Sequence, residues 1–157
     1  THGIETLCVR AQWSSKGIQG QGKKKSKAIL REGHHEHLKW WGQKMQLCQK
    51  PSTKQLVNKL VYSNLLGLDE NLKNGSIKNG SFNWELLQFK LRFPREVLLC
   101  RVGEFYETLG FDACILVEYA GVNPMGGIRS NTVPKAGCPV MNLRQTLDEL
   151  TRNGFSA

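Results

Sequence analysis

No stretch of this chain approaches the run of about 18 apolar residues that a membrane-spanning helix needs, so such a helix is excluded and no membrane partner is expected. The cysteines are five, odd in number and widely spaced (Cys8, Cys48, Cys100, Cys114, Cys138), and none forms a C-x-x-C pair. That argues against a zinc site, and Cys100 and Cys114, set among apolar neighbours, read as reduced core thiols of an intracellular protein. Acids are scarce at one end: residues 1–60 hold only Glu5, Glu32 and Glu36 against twelve lysines and arginines, whereas residues 61–157 hold ten of each sign. The net charge of +9 therefore belongs to the N-terminal part. A basic arm attracts polyanions without choosing among them, which points to nucleic acid or to targeting and carries no sequence specificity. The sequons at Asn74 and Asn79 carry no weight without a secretory signal.

What is present divides the chain into three. Residues 1–33 are Gly, Lys, Ser and Gln with scattered apolar groups, a composition expected to stay disordered as a basic linker or transit segment. Residues 36–80 read as a helical hairpin and a loop. Leu38, Trp41, Met45 and Cys48 lie on one helical face, Pro51 breaks the helix, and Ser52 with Gln55 predicts a capping box for a second helix reaching Leu65. The repeat Lys73-Asn74-Gly75-Ser76, Lys78-Asn79-Gly80-Ser81 then reads as a turn-rich loop. Residues 82–157 read as the domain proper. Asn83 to Lys90 is a short helix presenting Trp84, Leu87 and Leu91, Val97 to Val102 a buried strand, Glu104 to Ala120 a helix, and Gly121 to Gly137 a turn-rich excursion. Asn142 caps a last helix with Leu143, Leu147 and Leu150 on its buried face and Gly154 as its stop. A chain running from Thr1 to Ala157, with Ser156 opening a further strand, is expected to be a piece of a longer protein.

Three motifs invite a chemistry that their surroundings deny. Gly17 to Lys23 nearly spells a phosphate-binding loop, but Lys24 stands where Ser or Thr would hold magnesium and no buried strand precedes it. His34-His35-Glu36-His37 lacks the second ligand of a zinc protease, since Lys39 occupies that place, and reads as a polar helix start. Of Trp40 and Trp41, one is expected to pack inward and one to lie on the surface. Glu104, Glu107, Asp112 and Glu118 are the one carboxylate group dense enough to suggest a metal-dependent nuclease, although acids early in a helix are favoured by its dipole in any case.

The segment Phe93-Pro94-Arg95-Glu96-Val97-Leu98-Leu99-Cys100-Arg101-Val102-Gly103-Glu104-Phe105-Tyr106-Glu107 resembles the opening of the MutS mismatch-repair family: a proline, an apolar strand, a Gly-acid pair, then Phe-Tyr-Glu. Ala136-Gly137-Cys138-Pro139 resembles the family's Ala-Gly-x-Pro, and Leu143 to Gly154 its following helix. Pro51-Ser52-Thr53, Ser63 to Asp69 and Cys114 to Gly121 further resemble the plant organellar branch of that family. The family's histidine shortly after that proline is replaced here by Val140-Met141-Asn142, so any role it carries does not transfer.

The resemblance implies an α+β fold, a small mixed β-sheet flanked by helices, preceded by the helical hairpin and the basic arm. It implies a DNA-binding module and not an enzyme, whose partner is double-stranded DNA carrying mismatches. Phe105 would be the aromatic wedge and Glu107 the carboxylate on the displaced base, sharing or taking up a proton there. Tyr106, Arg101 and Lys135 complete the DNA-binding set, the two cations holding phosphate. No metal or cofactor is expected in this chain. The longer protein would be a dimeric ATPase using ATP and magnesium, with a C-terminal GIY-YIG nuclease-like domain, in mitochondria and plastids. Residues two apart share an outward direction only in extended chain or a loose first turn, so the site is expected at a strand-to-helix junction. The alternatives are a metal-dependent nuclease and a protein-interaction module without mismatch selectivity.

Overall fold

The computed structural model describes residues 23–126 and 131–156, with side chains from His35 onward. Residues 1–22, which include most of the near phosphate-loop and most of the expected disordered arm, lie outside the described residues. Helix α1 runs Lys23–Gln46 and so takes in residues 23–33 of that arm, with His35 to His37 inside it and not at its start. Lysine, alanine, leucine and arginine are good helix formers whatever their net charge, and no proline interrupts them.

Helix α2 (Pro51–Val57) is shorter than expected and is not capped by Ser52. Pro51 starts it, where a missing N–H costs nothing. The two backbone N–H groups preceding it, of Gln49 and Lys50, donate to the Glu118 carboxylate at 2.9 and 3.1 Å, a cap delivered from a distant element. Burial works to raise the Glu118 carboxyl, but these N–H groups, together with the neighbouring Thr53 and the Lys50 charge, hold the group below its ordinary value. Beyond α2 the chain makes a buried knot around Asn64, whose side-chain oxygen accepts from the N–H groups of Leu66, Gly67 and Leu68.

Helix α3 (Phe82–Arg92) begins at Ser81, which accepts from Trp84 N–H at 3.1 Å. Its buried positions are Leu86 and Lys90, with Leu87 and Leu91 half-buried beside them. Strand β1 (Cys100–Val102) then turns through Gly103 and Glu104 into β2 (Phe105–Leu109), and β3 (Lys135–Pro139) pairs with the far side of β2. All pairings are antiparallel in the order β1-β2-β3, so the expected α+β class holds while the sheet is antiparallel and not mixed.

The expected helix from Glu104 is corrected here: residues 105–109 are strand, and helix α4 (Phe111–Ile115) starts after Gly110 and runs on as a π-helical turn, Leu116–Ala120. Gly110 enforces the break. Its φ is 64°, and a Cβ there would stand 1.7 Å from the Leu66 carbonyl oxygen, a position that excludes every side chain. A 3-10 turn (Val140–Asn142) leads into helix α5 (Leu143–Arg152). Asn142 occupies the N-cap position without a side-chain cap bond, and Gly154, at φ 90°, follows the helix end.

One core joins the N-terminal helices to the domain. Leu38, Trp41, Met45, Cys48 and Leu56 pack with Val97, Leu99, the fully buried Phe111 to Val117, and Leu150. The two N-terminal helices thus close on α4 as a shared centre. A second cluster of Leu66, Leu68, Leu86, Phe93, Leu98, Cys100, Leu109 and Val133 lies under α3. Trp41 is fully buried, stacks on Phe111 at 5.3 Å and donates to the Pro94 carbonyl, while Trp40 is half-buried with its edge to Trp41. Cys48, Cys100, Cys114 and Cys138 are buried, and burial pushes the Cys48 thiol up to about 11.

Candidate nucleic-acid interface

Side chains alternate across a strand, so the three strands sort the expected site residues onto two faces. Tyr106 opposes Arg101 on β1 and Cys138 on β3, and its ring packs against the main core. Phe105, Glu107 and Leu109 point the other way. On that second face Leu109 and Cys100 are buried beneath α3, but the cover ends before the hairpin does. Phe105 lies at the uncovered end and keeps 39% of its surface exposed, whereas Glu107, opposite Cys100 in the ladder, is largely covered, its side chain 15% exposed.

The hairpin turn explains this reach. Gly103 has φ 65° and Glu104 does not share it, the pattern of a two-residue type II′ turn with glycine first. Such a turn matches the strand twist, so the ladder stays regular to Val102 and Phe105 at its tip. Phe105 and Glu107 are therefore both in extended chain and share a face. The junction is strand-to-strand and not the strand-to-helix one expected.

Gly137 makes room for the carboxylate. It faces Glu107 across the ladder, and a Cβ on it would meet the Tyr106 carbonyl oxygen at 2.5 Å and the Glu107 Cγ at 3.3 Å. Without that Cβ, Glu107 lies across β3 and its Oε1 reaches Lys135 Nζ at 3.2 Å. Lys135 thus shares the Phe105 face. Arg101 belongs to the opposite face, exposed, with its Nε donating to the Gly103 carbonyl at 3.0 Å beside the turn. The structure brings together Phe105, Glu107 and Lys135, places Arg101 at the rim, and turns Tyr106 toward the core.

The carboxylate group weighed as a metal centre is dispersed. Asp112 is buried in an ion pair with Lys90 at 2.5 Å and accepts from Leu98 N–H, Glu118 caps α2, and Glu104 is exposed in the hairpin turn. Among the described residues no three His, Cys, Asp or Glu side chains lie close enough to hold a metal ion. Lys90, the cation at Asp112, was not foreseen, and neither was the space that Gly137 leaves, although the Ala-Gly-x-Pro motif contains it.

A small three-stranded sheet flanked by helices agrees with the α+β class expected of a MutS N-terminal domain. Residues 80–157 match the family model for MutS domain I, and the chain belongs to the MutS family. It is 63% identical over 151 residues to the DNA mismatch repair protein MSH1, mitochondrial, of Arabidopsis thaliana. That alignment covers 95% of this chain and 14% of the relative's length. The expected kinship with plant organellar MutS proteins is thus met. No solved structure matches the chain.

Proposed function

We propose that this chain reads mismatched duplex DNA through the uncovered end of its sheet, with Phe105 as the wedge and Glu107 as the base-contacting carboxylate. The observation that carries this reading is a large aromatic left exposed at a hairpin tip, with a carboxylate two residues on along the same face. A mispair differs from a paired base chiefly in stacking and deformability. An apolar wedge entering the minor groove unstacks a step at a cost of a few kcal/mol, least at a flawed step. A phenyl ring replaces the lost stacking and leaves no polar group unsatisfied. Glu107 then accepts from, or shares a proton with, the displaced base.

Lys135 next to Glu107 offsets the repulsion between that carboxylate and the phosphates, and on binding it can turn to a phosphate oxygen. Arg101, exposed beside the turn, holds phosphate from the rim. Tyr106 supports the strand from the core side and is left out of the contact set. The chain itself is a binding module without a cofactor. In the longer protein we propose coupling to ATP and magnesium in a dimeric clamp, with mitochondria as its place, after the relative's printed name, and plastids beside them.

The test is the ratio of affinities for a single-mismatch duplex and its matched control, measured on the full-length protein at fixed salt, before and after Phe105→Ala. We expect the ratio to fall to about one while matched-duplex binding persists, since backbone contacts carry the sequence-independent part. An unchanged ratio would mean that Phe105 is not the wedge.

A further inference from the structure

Met141 is the most exposed large apolar side chain among the described residues, with 87% of its surface free, against 58% for Leu47, 45% for Tyr62 and 39% for Phe105. It does not sit on an arbitrary loop. Pro139 pairs with Phe105 across the ladder, and Val140 N–H donates to the Glu104 carbonyl at 2.9 Å, which ties the 3-10 turn Val140–Asn142 to the hairpin tip. Exposed Pro139 is paired with Phe105, and Met141 follows two residues on, in the turn tied to the hairpin tip. Of the other two methionines, Met45 is buried and Met125 is half-buried.

We propose that Met141 is a second apolar contact on mismatched DNA, set beside the Phe105 wedge. This rests on the reading that the uncovered end of the sheet faces DNA. Phe, Met and Pro are all side chains that serve as apolar wedges between base steps. They differ in what they tolerate. A phenyl ring offers one flat face to one base, whereas an unbranched thioether bends to fill gaps of differing shape. Mispairs leave differently shaped spaces on the kinked side of the step, so an adaptable second contact widens the set of lesions that a single ring can hold open. The 3-10 turn gives Met141 a fixed base, so the freedom lies in its side chain and not in the loop.

The test is a peroxide footprint on the full-length protein. Hydrogen peroxide transfers one oxygen to the thioether sulfur: the O–O bond breaks, the sulfoxide forms and water leaves. Mass spectrometry reads Met141 sulfoxide with and without saturating single-mismatch duplex, with free methionine in the solution to meter the peroxide. We expect bound duplex to slow Met141 oxidation several-fold. Met141→Ala should weaken mismatch binding by about tenfold, the loss of one to two buried methylene equivalents, and Met141→Leu should restore most of it. Oxidation at the same rate in the saturated complex, or wild-type affinity in Met141→Ala, overturns the proposal. The Phe105→Ala ratio decides separately whether the face reads mismatches at all, so the two readings fail independently.

Discussion

Lys90 with Asp112 and Lys135 with Glu107 are the same pair of functional groups in two settings. The first has side chains 0% and 2% exposed and closes at 2.5 Å between α3 and α4. The second has side chains 40% and 15% exposed and spans 3.2 Å across β2 and β3. Around the buried pair each charged group has further polar partners. Lys90 Nζ also donates to the Glu96 carbonyl and stands 4.4 Å from the Trp41 ring centre, and Asp112 takes the Leu98 N–H. Burial pushes the Asp112 carboxyl above its ordinary range, against the pull of Lys90 and of that N–H. The interior pair is a fixture of the fold. The sheet pair is open to water at Lys135 and largely covered at Glu107, and under the proposed function it exchanges its partners for a base and a phosphate.

The sharpest way to break that contrast is to remove one member of the buried pair. Lys90→Met leaves an uncompensated carboxylate in the core and is expected to cost about 3–5 kcal/mol. Urea denaturation should show this as a fall in the midpoint, whereas Phe105→Ala, at an exposed position, should stay within about 0.5 kcal/mol of the parent. If Lys90→Met were as stable as Phe105→Ala, the Lys90–Asp112 pair would not be what holds α3 to α4.

Gly137→Ala sits between the two regions in expected effect. The new Cβ would overlap a backbone oxygen of β2, which cannot swing away as a side chain can. We expect a loss of about 1–3 kcal/mol in stability as the ladder shifts, together with reduced mismatch selectivity because Glu107 loses the space it lies in. Paired denaturation and duplex-affinity measurements separate the two effects. Full stability with altered selectivity would show that β3 yields without strain and that only the carboxylate moves.

The residues of the proposed reading face stand out in the sequence because their signal is local. Phe105 and Glu107 are two residues apart, and the surrounding Pro-strand-Gly-acid order carries the family resemblance over a continuous stretch. The final helix was legible too, since Leu143, Leu147 and Leu150 repeat at helical spacing. What failed depends on contacts far along the chain. The apolar run Cys114 to Val117 extends a helix in sequence, and only the Leu66 carbonyl packed on Gly110 shows where that helix must begin. The cap on α2 comes from Glu118, and the cation on Asp112 from Lys90. Neither distance along the chain has a periodicity to reveal it. Gly103-Glu104 was not read as a hairpin because it lacks the Asn-Gly signature, although glycine in the first place of the turn is the type II′ form.

The smallest expected effect bears most directly on the exchange argument. With Lys135 40% exposed, water screens the Glu107–Lys135 pair from its lysine end. Such a pair contributes about 0–1 kcal/mol, so a double-mutant cycle on Glu107→Gln and Lys135→Met should find weak coupling in the stability of the free protein. The same cycle on mismatch affinity need not be weak. If Lys135 leaves Glu107 for a phosphate on binding, each side chain meets the DNA separately and their effects add. If the pair stays closed against the DNA, removing Lys135 leaves a bare carboxylate near the backbone, and the two changes are strongly non-additive. In that case Glu107→Gln, which removes the charge, should rescue much of the Lys135→Met loss. Additivity would assign Lys135 to positioning and Glu107 to the base, whereas rescue would assign Lys135 to neutralising Glu107.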